Sequence, residues 1–253
     1  MSVIAEELAS ADPGSLVRLI MAVADDSRAG VREAVARAER RMEAVARESA
    51  RLEDLARIEI RLIDGGCRIV AGVDEVGRGA LAGPVTACAC VFARDTHVHG
   101  VNDSKRLSPM ARERLDSEIR RSALGVAVAH VGPEEIDRIG IAGATLNAMR
   151  QAIAALPEVP DHVLVDGLPV DIGRPCTALV SGDALTRAIG AASIVAKVER
   201  DHLMEELDSR YPGYGFAGNK GYGSAPHIEA IRTLGPSPVH RMSFSPCSSL
   251  RLF

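Results

Sequence analysis

Tryptophan is absent from this chain and aromatic residues amount to 3%, so each Tyr and Phe must be accounted for individually. The five cysteines (Cys67, Cys88, Cys90, Cys176, Cys247) are odd in number and include no CxxC pair, which argues against a zinc or disulfide framework. No apolar run approaches the roughly 20 residues needed to cross a bilayer. The start, Met1-Ser-Val-Ile-Ala-Glu-Glu, lacks the basic end and apolar run of a secretory signal. Strong charge of one sign is missing too: the net charge of -4 rules out a uniformly basic nucleic-acid binder and leaves only local basic patches for that role. There is no internal repeat. With 47% apolar and 25% charged residues over 253 positions, the expectation is a soluble, cytoplasmic protein with one well-filled core plus an appendage.

Residues 1–64 are rich in Ala, Arg and Glu. Beyond Ser27 the apolar positions Val31, Val35, Ala38, Met42, Val45, Leu52, Leu55 and Ile58 recur mostly at steps of three or four, the period of a helix face. Ser27 is a candidate cap, and Gly65-Gly66 ends the run. This predicts a helical N-terminal extension over 1–64. It packs as a structural element, or it touches substrate through Arg28, Arg32, Arg40, Arg47 and Arg51; interspersed Glu residues favour packing. From Arg68 onward, short β-type runs (68–73, 85–92, 125–131, 162–165, 177–180) alternate with helical ones (108–121, 133–156, 184–210), which indicates an α/β core. Ser108-Pro109 suits a helix start. After Tyr211 the chain is rich in Gly, Pro and Ser, with one short helix near 226–234. The expected divisions are 1–64, a catalytic domain over 65–246, and a flexible tail over 247–253.

Residues 70–84 carry the densest chemistry. An apolar strand delivers Asp74 and Glu75 into a turn where Gly77, Gly79 and Gly83 leave the backbone bare for close approach. Adjacent carboxylates at the end of a buried strand repel each other and are poorly hydrated, so they call for a cation. Asp166 follows Val163-Leu-Val165, and Asp183 follows Ala178-Leu-Val-Ser-Gly182. A lone Asp after a strand is more often a turn residue or cap; two of them plus an adjacent pair shift the balance towards metal. Hard divalent cations prefer oxygen ligands. Two of them about 4 Å apart activate water and stabilise the leaving oxygen at phosphorus. Metal-dependent phosphoryl transfer is therefore the expected chemistry.

Four collinear segments sharpen this: Gly72-Val-Asp-Glu-Val-Gly-Arg-Gly79, Asn102-Asp-Ser-Lys-Arg-Leu-Ser108, Ala191-Ala-Ser-Ile-Val-Ala-Lys-Val-Glu-Arg-Asp201, and Tyr214-Gly-Phe-Ala-Gly-Asn-Lys-Gly-Tyr222 with His227 and His240-Arg-Met-Ser-Phe244. Over residues 69–246 the chain resembles the bacterial ribonuclease HII family (type 2 ribonuclease H). Ribonuclease HIII is a more distant likeness that lacks the Gly-Arg-Gly turn. The resemblance implies an α/β ribonuclease H-like fold, a mixed central sheet flanked by helices, with a helical C-terminal segment completing the substrate groove. It implies an endoribonuclease that hydrolyses the RNA strand of RNA/DNA hybrids and cuts 5′ of single ribonucleotides in duplex DNA. The ends would be 3′-hydroxyl and 5′-phosphate, and the roles ribonucleotide excision repair and RNA primer removal.

Carried over by the resemblance, the catalytic and metal-binding quartet is Asp74, Glu75, Asp166 and Asp183, holding two Mn²⁺ or Mg²⁺ ions with substrate. Gly77, Arg78 and Gly79 sense the 2′-OH, the group that separates RNA from DNA, and Tyr222 stacks on the next sugar. Arg78 is alternatively a phosphate contact. Lys105, Lys197, Lys220 and Arg241 are candidate phosphate contacts, which position a duplex without reading sequence. Ser193 either packs or touches DNA; Arg200 and Asp201 are structural; His227 and His240 bond phosphate or hold the C-terminal segment. Asn219 stands where the family usually has His, and Asn cannot titrate near neutral pH. Separately, Ser249-Leu-Arg-Leu-Phe253 has the Leu-x-Leu-Phe pattern of peptides that dock on the bacterial sliding clamp, which makes Leu250, Leu252 and Phe253 candidate clamp contacts. The alternative is a tail folded back on its own protein. The expected state is a monomer with no membrane partner. A structure-specific DNA nuclease or resolvase would not need the 2′-OH turn, and a non-catalytic adaptor would not need all four carboxylates.

Overall fold

The computed structural model of the chain describes residues 3–101 and 104–252, apart from the side chains of Pro13, Lys105, Leu250, Arg251 and Leu252. The Lys105 contact and the clamp motif therefore lie outside the described side chains, with Phe253 outside altogether. The chain divides into two compact units, residues 1–53 and 54–253.

In the first unit, α1 (Val3–Ser10) and α2 (Pro13–Ala22) join the early turns of α3 (Ala29–Asp64). Leu8, Leu16, Ala34 and Ala38 are buried together. Asp12 caps α2 by accepting from Gly14 N at 3.0 Å and Ser15 N at 3.1 Å. Arg41 donates to the carbonyls of Leu8, Ala9 and Ala11, so a cation closes the negative end of α1. Arg28, Arg47 and Arg51 pair with Asp26, Glu43 and Glu48 respectively, which leaves them locally compensated.

The second unit is built on a five-stranded sheet in the order β3-β2-β1-β4-β5. Its strands are β1 (Val70–Val76), β2 (Val85–Val91), β3 (Gly125–Val131), β4 (His162–Asp166) and β5 (Cys176–Leu179). The β1–β2 and β2–β3 pairs are antiparallel, whereas β1–β4 and β4–β5 are parallel, so the sheet is mixed as expected. Its helices are α4 (Pro109–Ser122), α5 (Pro133–Ala154), α6 (Gly182–Leu185), α7 (Arg187–Arg210), α8 (Phe216–Asn219) and α9 (Ala225–Leu234). Both faces are covered. Ala71, Val73, Ala87, Ala89 and Val165 pack with Ile136, Ala144 and Ala148 of α5. Cys88 and Cys90 turn the other way, towards Ala188, Ala191, Ala192 and Val195 of α7 and towards Leu115 and Ile119 of α4. Small residues let α7 lie close on β1. At Gly72 a Cβ would stand 2.3 Å from the Ala188 carbonyl carbon, so only glycine fits there.

The segment after Tyr211 carries the short α8 besides the expected helix. Two further details differ from the expectation. The first strand runs on through Val76, because its hairpin with β2 stays in register as far as Val76↔Thr86. Asp74 and Glu75 thus lie inside β1 rather than beyond it. The helix read as 184–210 is broken at Thr186, whose backbone is extended (φ -134°, ψ 143°) and whose hydroxyl caps Ile189 N at 3.2 Å. A threonine that offers its own N-cap starts a new helix, which leaves Asp183 on a separate short turn.

Candidate active site

Asp74 sits on the face of β1 that meets α7 and is only 6% exposed. The hydroxyl of Ser193, on α7, hydrogen-bonds to it, and Ser193 Oγ lies 3.0 Å from Ser104 Oγ. Ser193 is thereby placed on a carboxylate rather than on the surface. Burial, with the negative charges of Glu75 and Asp166 beside it, pushes the Asp74 carboxyl up to about 8. Glu75 is also raised, first by burial, although Arg78 Nη1 stands 3.1 Å from its Oε1. Asp166 ends β4. Because Val73 pairs with Val165, Asp74 and Asp166 are the next residues along two adjoining parallel strands. Asp166 Oδ1 accepts from Gly182 N at 2.6 Å, which docks the short helix α6 and its Asp183 beside the end of β4.

The donor set fits a hard divalent cation: every group is an oxygen acid, and the raised Asp74 and Glu75 carboxyls reflect negative charge crowded out of water. Among the described residues no three acids, histidines or cysteines already close on one point as a metal cage. An open arrangement of this kind suits an ion that shares its coordination with water and phosphate. A groove of about 410 Å³ opens beside it, lined by Glu75, Arg78, Thr145, Asp166 and Leu168 among others.

The Gly-Arg-Gly turn follows directly. Gly77 has φ +88°, and a Cβ there would meet Arg200 Nε at 2.2 Å, whereas a Cβ at Gly79 would meet nothing within 4 Å. One side of the turn is thus filled and the other open. Arg200 donates to the carbonyls of Pro84 (2.9 Å), Lys220 (2.8 Å) and Ala82 (3.1 Å). Arg241 donates to those of Gly83 (3.0 Å) and Arg78 (2.8 Å). Arg241 is fully buried, so it does not face a phosphate. Tyr222 is 39% exposed, with the Arg200 guanidinium carbon 5.6 Å from its ring centroid. Asn219 bridges the preceding turn: its Nδ2 donates to Tyr214 O at 2.7 Å and its Oδ1 accepts from Gly221 N at 2.8 Å. Its amide therefore supports the left-handed Lys220 (φ 51°), a task that needs no titrating group.

Lys197 and Lys220 line a cavity of about 430 Å³ and are held at 2.6 Å by Asp201 and Glu205 respectively. His227 and His240 are buried and bonded to each other at 3.1 Å. They pack with Tyr214 and Phe216 and hold the C-terminal segment. One buried pair escaped sequence reasoning. Glu59, near the end of α3, accepts from Arg187 at 2.6 Å and from Ala188 N at 2.9 Å, at the start of α7. An acid next to the apolar Ile58 carries no signal in the sequence, since its partner lies far along the chain.

A mixed 3-2-1-4-5 sheet with carboxylates on its two central parallel strands, beside an open glycine turn, defines a ribonuclease H-like nuclease. Comparison with known proteins narrows the class. Residues 71–247 match the family model "Ribonuclease HII", and residues 1–62 match "Ribonuclease HII N-terminal domain". A ribonuclease HII of Anaeromyxobacter sp. is 48% identical over 227 residues, covering 89% of this chain and 72% of that protein. Among solved structures, the ribonuclease H2 of Pyrococcus horikoshii superposes with a TM-score of 0.62 at 29% identity, covering 73% of this chain and 97% of that one. The ribonuclease HII of Archaeoglobus fulgidus, solved in complex with PCNA, does so with 0.59 at 29% identity, covering 70% and 95%. The chain belongs to the ribonuclease HII family and is a metal-dependent endoribonuclease. Among the described residues no helix is long and apolar enough to cross a membrane.

Proposed function

We propose that this chain hydrolyses the RNA strand of RNA/DNA hybrids in the cytoplasm and cuts 5′ of a single ribonucleotide in duplex DNA, leaving 3′-hydroxyl and 5′-phosphate ends. Such cuts would serve ribonucleotide excision and primer removal. The observation that carries this reading is that Glu75, Asp166 and Arg78 of the Gly-Arg-Gly turn line one groove, with Asp74 close enough to feel the charges of Glu75 and Asp166.

Asp74, Glu75, Asp166 and Asp183 would hold two Mg²⁺ or Mn²⁺ ions. When bound, the metal supplies charge neutralisation at phosphorus and activation of water. Ser193 orients Asp74 through its hydrogen bond. The backbone at Gly77, Arg78 and Gly79 surrounds the 2′-OH, which both donates and accepts. Tyr222 offers its exposed ring to the neighbouring sugar. Lys197 and Lys220 exchange Asp201 and Glu205 for phosphates as the duplex docks. Lys105 joins them by its place in the motif. Burial and charge crowding raise the Asp74 carboxyl to about 8, and a bound cation would offset that crowding.

The test is cleavage of a labelled duplex carrying one ribonucleotide, with Mg²⁺, Mn²⁺ or chelator, beside all-DNA duplex and an Asp183→Asn variant. A single cut 5′ of the ribonucleotide, lost in chelator and in the variant, is expected. Cutting of the all-DNA duplex rejects the 2′-OH reading.

Docking of residues 249–253 on a sliding clamp is a separate proposal. It rests on the Leu-x-Leu-Phe pattern, and the Archaeoglobus relative's complex with PCNA lends support. Removal of Leu250 to Phe253 should abolish co-elution with the bacterial clamp; unchanged co-elution, or none with the full chain, counts against it.

A further inference from the structure

The turn and Tyr222 come from segments about 140 residues apart. They are joined by backbone bonds from Leu81 N (2.7 Å) and Ala82 N (3.3 Å) to Gly221 O and by the buried guanidinium of Arg200, which reaches carbonyls of both, while Arg241 braces the turn alone. Arg200 and Arg241 are both fully buried, yet neither forms an ion pair among the described residues. Their partners are backbone carbonyls: Arg78, Ala82, Gly83 and Pro84 of the turn, and Lys220 two residues before Tyr222. One donor, Arg241 Nη2, has no partner among the described residues. Burial and the nearby Arg200 charge bring Arg241 down to about 9, so the fold tolerates two crowded cations at this place. Charged groups are rarely buried unpaired unless their geometry is used.

The geometry is specific to a planar fork. Arg200 sends three donors to three carbonyls in two segments, and its Cζ lies under the Tyr222 ring. A lysine ammonium, a point charge on a flexible stem, does not span that arrangement. Arg200 also fills the inner side of Gly77, while the outer side at Gly79 is open. A shift of Arg200 therefore moves both the backbone on which a ribose would rest and the segment carrying Tyr222, whereas a shift of Arg241 moves the turn. We infer that Arg200 and Arg241 are positioning residues for ribose recognition: Arg241 fixes the Gly-Arg-Gly backbone, Arg200 sets its spacing to Tyr222, and through both they set the preference for a ribonucleotide over a deoxyribonucleotide. This rests on the proposed reading of that turn as the 2′-OH sensor.

The test uses the full chain with Mg²⁺ in an Asp183→Asn background, where binding is read without cleavage. Affinities are measured for a DNA duplex with one ribonucleotide and for the same duplex in all-DNA form. Arg241→Lys and Arg200→Lys should lower the ratio of the two affinities about ten-fold, with all-DNA affinity within two-fold of the parent. Phe244→Leu, which removes the ring 5.2 Å from Arg241 and none of its hydrogen bonds, is the gentler variant and should lower the ratio about three-fold. An unchanged ratio in folded variants, or an equal fall in both affinities together with a lowered melting temperature, overturns the inference. If the parent itself shows no preference, the 2′-OH reading fails and takes the inference with it. That outcome is told apart because it appears before any arginine is changed.

Discussion

Removing the Glu59 carboxylate should destabilise the catalytic unit more than any other single change in α3. Its side chain and that of Arg187 are each 2% exposed, and Glu59 accepts from Arg187 Nη2 at 2.6 Å, from Arg187 Nε at 3.2 Å and from Ala188 N at 2.9 Å. Burial pushes the Glu59 carboxyl above its usual range despite the guanidinium beside it, so desolvation outweighs attraction. The pair as a whole therefore adds little net stability, but breaking it strands a buried cation, at a cost of about 3–5 kcal/mol. For a chain of this size that lowers Tm by roughly 6–20 °C. Glu59→Gln, followed by thermal and urea unfolding, measures it. A Glu59→Leu/Arg187→Met double variant should recover most of the loss, because apolar groups of similar volume replace buried pairs at little cost. Truncation offers a second arm: a chain lacking residues 1–53 should keep the catalytic unit folded, and one lacking 1–64 should not. A cost under about 1 kcal/mol for Glu59→Gln, in the range of exposed pairs, would refute the reasoning.

Other consequences are equally open to measurement. Asp74 titrates at about 8 when folded against 3.8 ordinarily. A raised folded pKa stabilises below the unfolded value and is lost as pH rises through the folded one. Metal-free protein in chelator should thus lose about 5 kcal/mol between pH 4 and pH 8, and Asp74→Asn should flatten the melting profile across that window; equal slopes in both proteins sink the assignment. Gly72→Ala places a Cβ 2.3 Å from backbone of α7, so about 1–3 kcal/mol of stability and much of the activity should go, as read by melting and cleavage; a neutral result means α7 lies further from β1. Asn219→Ala removes both bridges around the left-handed Lys220 and should weaken duplex binding while leaving metal affinity unchanged. A fall in metal affinity would show that the turn is not a separate element.

Much of this was legible because it is local. The alternation of β-type and helical runs, the Ser108 cap and the end of α3 near Gly65 depend on neighbours a few residues away. The break at Thr186 was hidden because the segment around it is helix-forming, and only the structure shows Thr186 extended with its hydroxyl capping Ile189 N. Among the site residues, sequence order alone named the carboxylates and the open turn, since their chemistry is written in residue type.

What the sequence by itself determined, then, is the inventory: acids after apolar runs, a bare-backbone turn, a tyrosine between glycines. Tertiary structure decided the rest. Register between β1 and β4 puts Asp74 next to Asp166, and burial raises the Asp74 and Glu75 carboxyls above their ordinary range. It also assigns Arg241 to backbone carbonyls instead of phosphate, and Ser193 to a carboxylate. Register, desolvation and long-range hydrogen bonds are properties of residues far apart in sequence, so they exist only once the chain has folded.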